Sequence, residues 1–448
     1  MCRAPARAGA LHELAVPLIT DWSGEASTAA LAALPAATTA GTSICRKEPS
    51  VSSRERILAA IDGTRGALVP CSFMMFRALR DKCSDEYEFA LRQLDMGLDT
   101  RVRLDDLPVR FPSEVSIHES VTPGNPPLVS RVYQTPAGKL TASVKQIEGW
   151  PFGDHLPLFS DFIIPRAVKF PISAPEHLPP LRYLLTAPAD EGIHAFLAEG
   201  ARRKRFADDH GLLLAGGWRG ERSVPGEDGC LVGANFGTVS VVDTLMWLCG
   251  GTEPLLWAHD QPAFLAELIG LLEEWNRARL EVHLDAGADV VFRRAWYEGT
   301  DFWSPSLYRE FILPSVRRDV ELAHEAGARY AYIITSGMAL VAHLILEAGV
   351  DVVVGIDPGQ GKGTTLQEVR DSLGGKIGLW GGVSGPLIVE EGSDEEVRSS
   401  VEEALSVLGG TGRFILSPVD NIRADTERSW RNVRTFIETW QSAAGGTT

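Results

Sequence analysis

The amino-acid sequence predicts an α/β protein built as one (β/α)8 TIM barrel with a hairpin-bearing insertion, and three observations carry that prediction. Short runs rich in Val, Ile and Tyr alternate with helix-length segments, most clearly from Tyr330 to Asp357, as parallel strands buried on both faces do. Eight such runs occur, near residues 67, 98, 212, 289, 330, 350, 376 and 413, which is the strand number of this barrel. Most give way to polar residues at their C-terminal ends, where α/β folds collect reactive groups.

The 448 residues are 44% hydrophobic and 23% charged, with 17 Phe and 11 Trp. That composition supports a large core and excludes a disordered or fibrous chain. A formal net charge of −16 leaves no basic surplus to neutralise phosphates, so neither nucleic acid nor an anionic membrane is expected as a partner. The six cysteines (Cys2, Cys45, Cys71, Cys83, Cys230, Cys249) are scattered, with no C-x-x-C and no Cys/His cluster. A reducing, cytoplasmic setting is the expectation. No apolar run approaches the roughly 20 residues of a membrane span.

Residues 1–50 are rich in Ala, Thr and Ser, and His12, Glu13 and Pro17 interrupt their apolar stretch. A weakly ordered extension is expected there rather than a signal peptide, with the barrel spanning 51–445. Ser52 followed by Glu55 opens a helix from Arg54 to Ile61. A strand from Ala67 to Phe73, a helix from Ser84 to Met96 and a strand from Leu98 to Leu104 follow. Between about 108 and 180 the alternation stops and prolines recur. Leu128–Tyr133, the turn Pro136-Ala137-Gly138 and Leu140–Ile147 predict an antiparallel hairpin in this insertion.

The alternation resumes with a helix from Pro188 to Ala207, whose Arg202-Arg203-Lys204-Arg205 is expected to be a solvated face. Strand Leu212–Trp218, helices Val239–Cys249 and Pro262–Ala286, and strand Asp289–Trp296 come next. Ser304 and Pro305 suit the cap and first position of a helix running to Ala326. Then come strand Tyr330–Ile334, helix Met338–Glu347, strand Val350–Ile356, helix Thr365–Leu373 and strand Lys376–Trp380. A turn at Gly381–Gly385, helix Asp394–Leu408, strand Arg413–Ser417 and helix Thr426–Trp440 complete the chain.

Glu298, Asp301, Asp357 and Asp420 all follow strand ends. Carboxylates converging on one barrel mouth suit proton transfer or a hard cation, although a helix N-cap is the favoured role for Asp301. Thr335 and Ser336 offer hydroxyls to a substrate or to the next helix. Trp296, Tyr297 and Trp380 are placed to stack on a flat ligand or to cover the core. Arg293 and Arg294 occupy opposite faces of their strand, so at most one points into the barrel. Gly359–Thr365 is glycine-rich, but Lys362 is followed by Gly363 rather than Ser or Thr, which argues against a phosphate loop.

Three stretches carry a family resemblance: Trp303-Ser304-Pro305-Ser306-Leu307-Tyr308-Arg309-Glu310-Phe311, Glu347–Asp351 and Phe414-Ile415-Leu416-Ser417-Pro418. With Tyr133–Gly138 and Val168-Lys169-Phe170-Pro171, they resemble the uroporphyrinogen decarboxylase superfamily over about residues 54–440. That superfamily also includes cobalamin-linked methyltransferases. The resemblance implies a barrel whose mouth receives a tetrapyrrole or a small methyl donor. In the decarboxylase branch it implies no cofactor, with Arg77 and Arg80 binding substrate carboxylates through their guanidinium forks. It also implies a carboxylate that stabilises a cationic intermediate, from among Glu298, Asp420 and Asp357. Tyr297, Thr335, Ser336 and Trp380 complete the expected binding surface.

Two departures stand out. The decarboxylases' Arg-Gln-Ala-Gly-Arg and Gly-His-Gly stretches are absent, the second being replaced by Pro418-Val419-Asp420. The methyltransferases' zinc-binding His-x-Cys and later Cys fall at Ile334, Ser336 and near Asp420, so no metal is expected. The expected function is decarboxylation of a carboxylate-bearing substrate, with a tetrapyrrole among the candidates, without a metal cofactor. The alternatives are methyl transfer linked to a corrinoid protein, or non-catalytic binding of a tetrapyrrole or corrinoid. A homodimer is among the expected assemblies.

Overall fold

In the computed structural model, residues 51–64, 68–105, 107–217, 224–225, 231–232, 240–360 and 364–445 are described. The first 50 residues, and the expected order of that extension, lie outside them. The described strands are β1 Arg101–Arg103, β2 Ser116–Thr122, β3 Leu128–Thr135, β4 Gly138–Lys145, β5 Ala167–Lys169, β6 Leu213–Gly216, β7 Val224–Pro225, β8 Leu231–Val232, β9 Val290–Arg294, β10 Arg329–Ile333, β11 Val352–Ile356, β12 Gly378–Ser384 and β13 Phe414–Val419. Seven of them form one parallel sheet in the order β1-β6-β9-β10-β11-β12-β13.

Alternation along each strand sorts the core into two layers. Leu213, Ala215, Val290, Phe292, Ala331, Ile333, Val352, Val354 and Ile415 pack on one side of the sheet. Their partners there are Ile57, Ala60 and Ile61 of helix α1, Ser53–Asp62. Leu214, Val291, Tyr330, Tyr332, Val353, Leu379 and Leu416 belong to the other layer, with the helices. The predicted capping box is present: Ser52 Oγ accepts from Glu55 N–H, and the Glu55 carboxylate accepts from Ser52 N–H at 2.8 Å.

The run expected as the first strand contributes only an isolated parallel bridge, Cys71 to Leu416, among its described residues. Ser72 N–H donates to the Leu416 carbonyl at 3.0 Å, and Leu416 N–H to the Pro70 carbonyl at 2.9 Å. On the other side, Asp99 N–H donates to the Cys71 carbonyl at 2.8 Å. Pro70 has no N–H, and the Cys71 N–H is taken by the Asp99 carboxylate at 3.1 Å, so a regular ladder cannot extend. The segment nevertheless joins β13 to the residues leading into β1, the two edges of the seven-stranded sheet.

Three other expectations are revised. The turn foreseen at Gly381–Gly385 is instead the continuation of β12 to Ser384. Gly381 and Gly382 sustain it with φ values of 145° and 110°, open only to glycine at low strain. The helix foreseen from Pro305 to Ala326 keeps its Ser304 cap but is interrupted by a π-helical turn at Tyr308–Ile312. Pro314, just beyond, has no N–H for the regular α pattern. Within Arg202–Arg205, Arg203 is 8% exposed. It turns inward to Glu199, Asp105 and the Arg103 carbonyl.

Inside the 108–180 stretch, β2-β3-β4-β5 form an antiparallel sheet. The β3–β4 hairpin closes with Thr135 opposite Gly138. No described helix is long and apolar enough to cross a membrane.

Candidate active site

The alternation in β9 places Arg294 on the same side as Val290 and Phe292 and turns Arg293 toward the helices. Arg294 is 5% exposed and lies at the C-terminal end of its strand. Its Nη2 donates to Asp161 Oδ2 at 2.8 Å, and its Nη1 donates to Asp243 Oδ2. Asp161 comes from the connection between β4 and β5. Asp243 lies in the first turn of helix Val241–Cys249. Tyr297 N–H donates to Asp243 Oδ1 at 3.1 Å, while Tyr297 OH and Trp247 Nε1 donate to Asp161 Oδ1 at 3.3 and 2.9 Å. The rings of Trp247 and Trp296 lie 5.2 and 4.5 Å from the guanidinium carbon, adding cation–π attraction.

Two carboxylates sharing one buried guanidinium cannot both be fully stabilised as anions. Burial is the largest influence on Asp243. Asp161 and Glu298 add to it, Arg294 opposes it, and the carboxyl is pushed up to about 7. Burial also weighs against the Arg294 cation, but Asp161 and Asp243 outweigh it and hold the group above its ordinary range.

Of the residues expected from the sequence, Tyr297 belongs to this cluster. Asp420 stands close enough to feel Arg294 and Asp161. Burial raises its carboxyl, with Arg423 opposing at 3.6 Å. Its Oδ1 is buried without a hydrogen bond, and its φ of 64° is the one positive value outside glycine among the described residues. Asp357 is fully buried and accepts from Gly359 N–H at 2.8 Å and from Gln360 Nε2 at 3.0 Å. Burial raises it too, and Asp420 reinforces that.

The remaining expected residues go elsewhere. Glu298 is held in the layer between sheet and helices by Arg293, at 3.1 and 2.8 Å, and by the Tyr332 hydroxyl. Arg77 pairs with Asp81 at 3.0 Å, and its N–H donates to Asn421 Oδ1 at 3.0 Å. Arg80 donates to the Cys83 carbonyl at 3.0 Å. Thr335 is 8% exposed, with Ser336 partly buried beside it. Trp380 is 1% exposed and packs inside the sheet, donating to the Ser72 carbonyl at 2.8 Å. Its ring and that of Phe292 flank the buried Arg101 guanidinium at 5.3 and 5.8 Å. Ser304, not Asp301, caps the following helix.

The sequence reading missed Asp161, Asp243 and Trp247. Asp243 left a usable signal: it is a lone charge in the apolar run Val241-Val242-Asp243-Thr244-Leu245-Met246-Trp247, and a buried charge demands a partner. The positions that would carry thiolate-bound zinc do not fit that metal, because Ile334 is buried among apolar side chains and Ser336 and Asp420 offer only oxygen. The described free cysteines Cys71, Cys83 and Cys249 are all buried, with thiols raised by that burial. A separate cavity of about 240 Å³, lined by Leu104, Asp105, Pro108, Phe196 and Glu199 among others, shares no residue with the Arg294 cluster.

Residues 239–442 match the family model described as uroporphyrinogen decarboxylase (URO-D). That part of the chain is similar to the URO-D family. The matched URO-D span contains Asp243, Arg294, Tyr297, Asp357 and Asp420, whereas Asp161 lies before it. A methyltransferase from Methanosarcina mazei has a similar structure at 17% identity and a TM-score of 0.51, with 88% of this chain and 99% of that one covered. A B12-independent methionine synthase from Shewanella sp. W3-18-1 aligns at 9% identity and a TM-score of 0.42, over 84% of this chain and 97% of that one. The first likeness is one of fold. No curated protein sequence matches this chain.

Proposed function

We propose that the chain is a URO-D-like enzyme that decarboxylates a carboxylate-bearing, tetrapyrrole-class molecule at the C-terminal ends of its parallel strands. The carrying observation is Asp243, a fully buried carboxyl at about 7 beside Arg294. A group titrating there is matched to general acid catalysis at neutral pH. The proposed scaffold is a closed (β/α)8 barrel, supported by the hydrogen bonds of Pro70–Ser72 to both sheet edges.

In the proposed reaction, protonated Asp243 donates to the pyrrole carbon next to the one that bears the acidic side chain, which leaves positive charge on the side-chain-bearing carbon. The bond between the side-chain methylene and its carboxylate then breaks. Its electron pair neutralises the ring, and CO2 leaves. The exocyclic methylene takes up a proton while the ring carbon returns its own to Asp243, so one proton is consumed and one CO2 released. Asp420 and Asp357, when ionised, favour the cation through space.

The test is porphyrinogen turnover by wild type and Asp243→Asn. A loss of about 10²–10⁴ in kcat, typical of general acid–base catalysis, should accompany disappearance of the pH limb near 7. A variant within tenfold of wild type would sink the assignment.

A second reading is methyl transfer from a cationic donor, with a corrinoid protein as the candidate acceptor. It is favoured by the carboxyl groups Asp161, Asp243, Asp357 and Asp420, which among the described residues outnumber the buried cation Arg294 of this cluster. Methylation of added corrinoid protein without CO2 release would select it.

A further inference from the structure

Asp161 reaches the Arg294 cluster from outside the URO-D span, on the connection between β4 and β5. Among the described residues its carboxylate is held by three convergent donors: Arg294 Nη2 on one oxygen at 2.8 Å, and Trp247 Nε1 and Tyr297 OH on the other at 2.9 and 3.3 Å. The donors are deeply set, Trp247 being 0% and Arg294 5% exposed, whereas the Asp161 side chain is 29% exposed. The arrangement is a carboxylate-shaped cradle filled by the chain itself, from the solvent side.

We propose that this cradle is the binding site for a substrate carboxylate and that Asp161 is its internal competitor. The ligand carboxylate takes over the Arg294, Trp247 and Tyr297 donors as the Asp161 side chain rotates toward solvent. Charge decides the ligand class. Exchanging one monoanion for another leaves the balance around Arg294 and Asp243 unchanged, whereas a phosphate dianion would bring excess charge against the buried Asp243. A planar group with two oxygens also reproduces the donor geometry already present. The inference rests on reading this mouth as the reactive site, and it makes Asp161 a specificity-determining residue supplied by the antiparallel-sheet region.

The test is propionate binding to the full chain by calorimetry, with propionamide as the neutral isostere. Asp161→Ala should bind propionate at least tenfold more tightly than wild type, and propionamide should not compete. Adding Arg294→Lys to that variant should remove the gain. Should Asp161→Ala fail to melt cooperatively, Asp161→Ser keeps a small polar side chain in place and carries the same expectation. Equal propionate affinity in wild type and the Asp161 variant would overturn the proposal, as would competition by propionamide. Because the readout is binding, it can succeed while the porphyrinogen assay fails, or the reverse, so the two ideas fall separately.

Discussion

Asp243 and Asp319 are carboxyls that the fold keeps almost wholly from water, and burial raises them to about 7 and about 6 against the pull of Arg294 and Arg293 respectively. A carboxyl raised above its unfolded value of about 3.9 makes the folded chain hold more protons than the unfolded chain between those two values. Stability from this source is therefore complete below about pH 4 and is lost as pH climbs through the folded value. Asp243→Asn should flatten the decline between pH 4 and 7, read as urea midpoints at pH 5 and 8. An unchanged difference between those midpoints would contradict this account. On the helix side, Arg293 serves Glu298, Ser315 and Asp319 together. Arg293→Met should cost about 3–5 kcal/mol in urea unfolding, because it strands buried carboxylates. Replacing Glu298 and Asp319 by Leu in the same chain should recover a large part of that loss.

At the scale of single elements, legibility followed composition. β10 and β11 were readable because continuous Tyr, Ile and Val announce strands covered on both faces. β1, Arg-Val-Arg, falls within the run Leu98–Leu104 expected as a strand, whereas Ala67–Phe73 keeps only the Cys71 bridge among its described residues, because the Asp99 carboxylate takes the Cys71 N–H. The paired glycines of β12 resemble a turn because the same backbone freedom serves turns and tight passage between neighbours. Their role here is close approach: a Cβ at Gly381 would stand 2.7 Å from the backbone nitrogen and oxygen of Ile356. Gly381→Ala should cost about 1–3 kcal/mol, the range for a strained backbone, seen as a lowered urea midpoint. A neutral result would mean that β11 and β12 are not held this tightly. The site was half legible for a comparable reason. Tyr297, Asp357 and Asp420 announce themselves by ending strands, whereas Asp161 meets Arg294 across 133 positions of chain from a proline-rich stretch with no periodic pattern.

For the molecule as a whole, the decisive question is how the sheet's edges are held. If Pro70–Ser72 fastens β13 to the start of β1, the amides of Ser72, Asp99 and Leu416 should exchange with solvent as slowly as those in β10 and β11. Fast exchange at all three would leave the sheet open along that seam. Helix α1 meets the layer of the sheet that holds Leu213, Val290 and Ile415 through Ile57, Ala60 and Ile61. In the same region Arg101 lies between Phe292 and Trp380 and donates to the Phe73 carbonyl at 3.1 Å. Arg54 and Asp62 of α1 pair with Asp289 and Arg329 at the starts of β9 and β10, the opposite end of the sheet from Arg294. If ligand enters and product leaves on the Arg294 side alone, inhibition by product should be competitive.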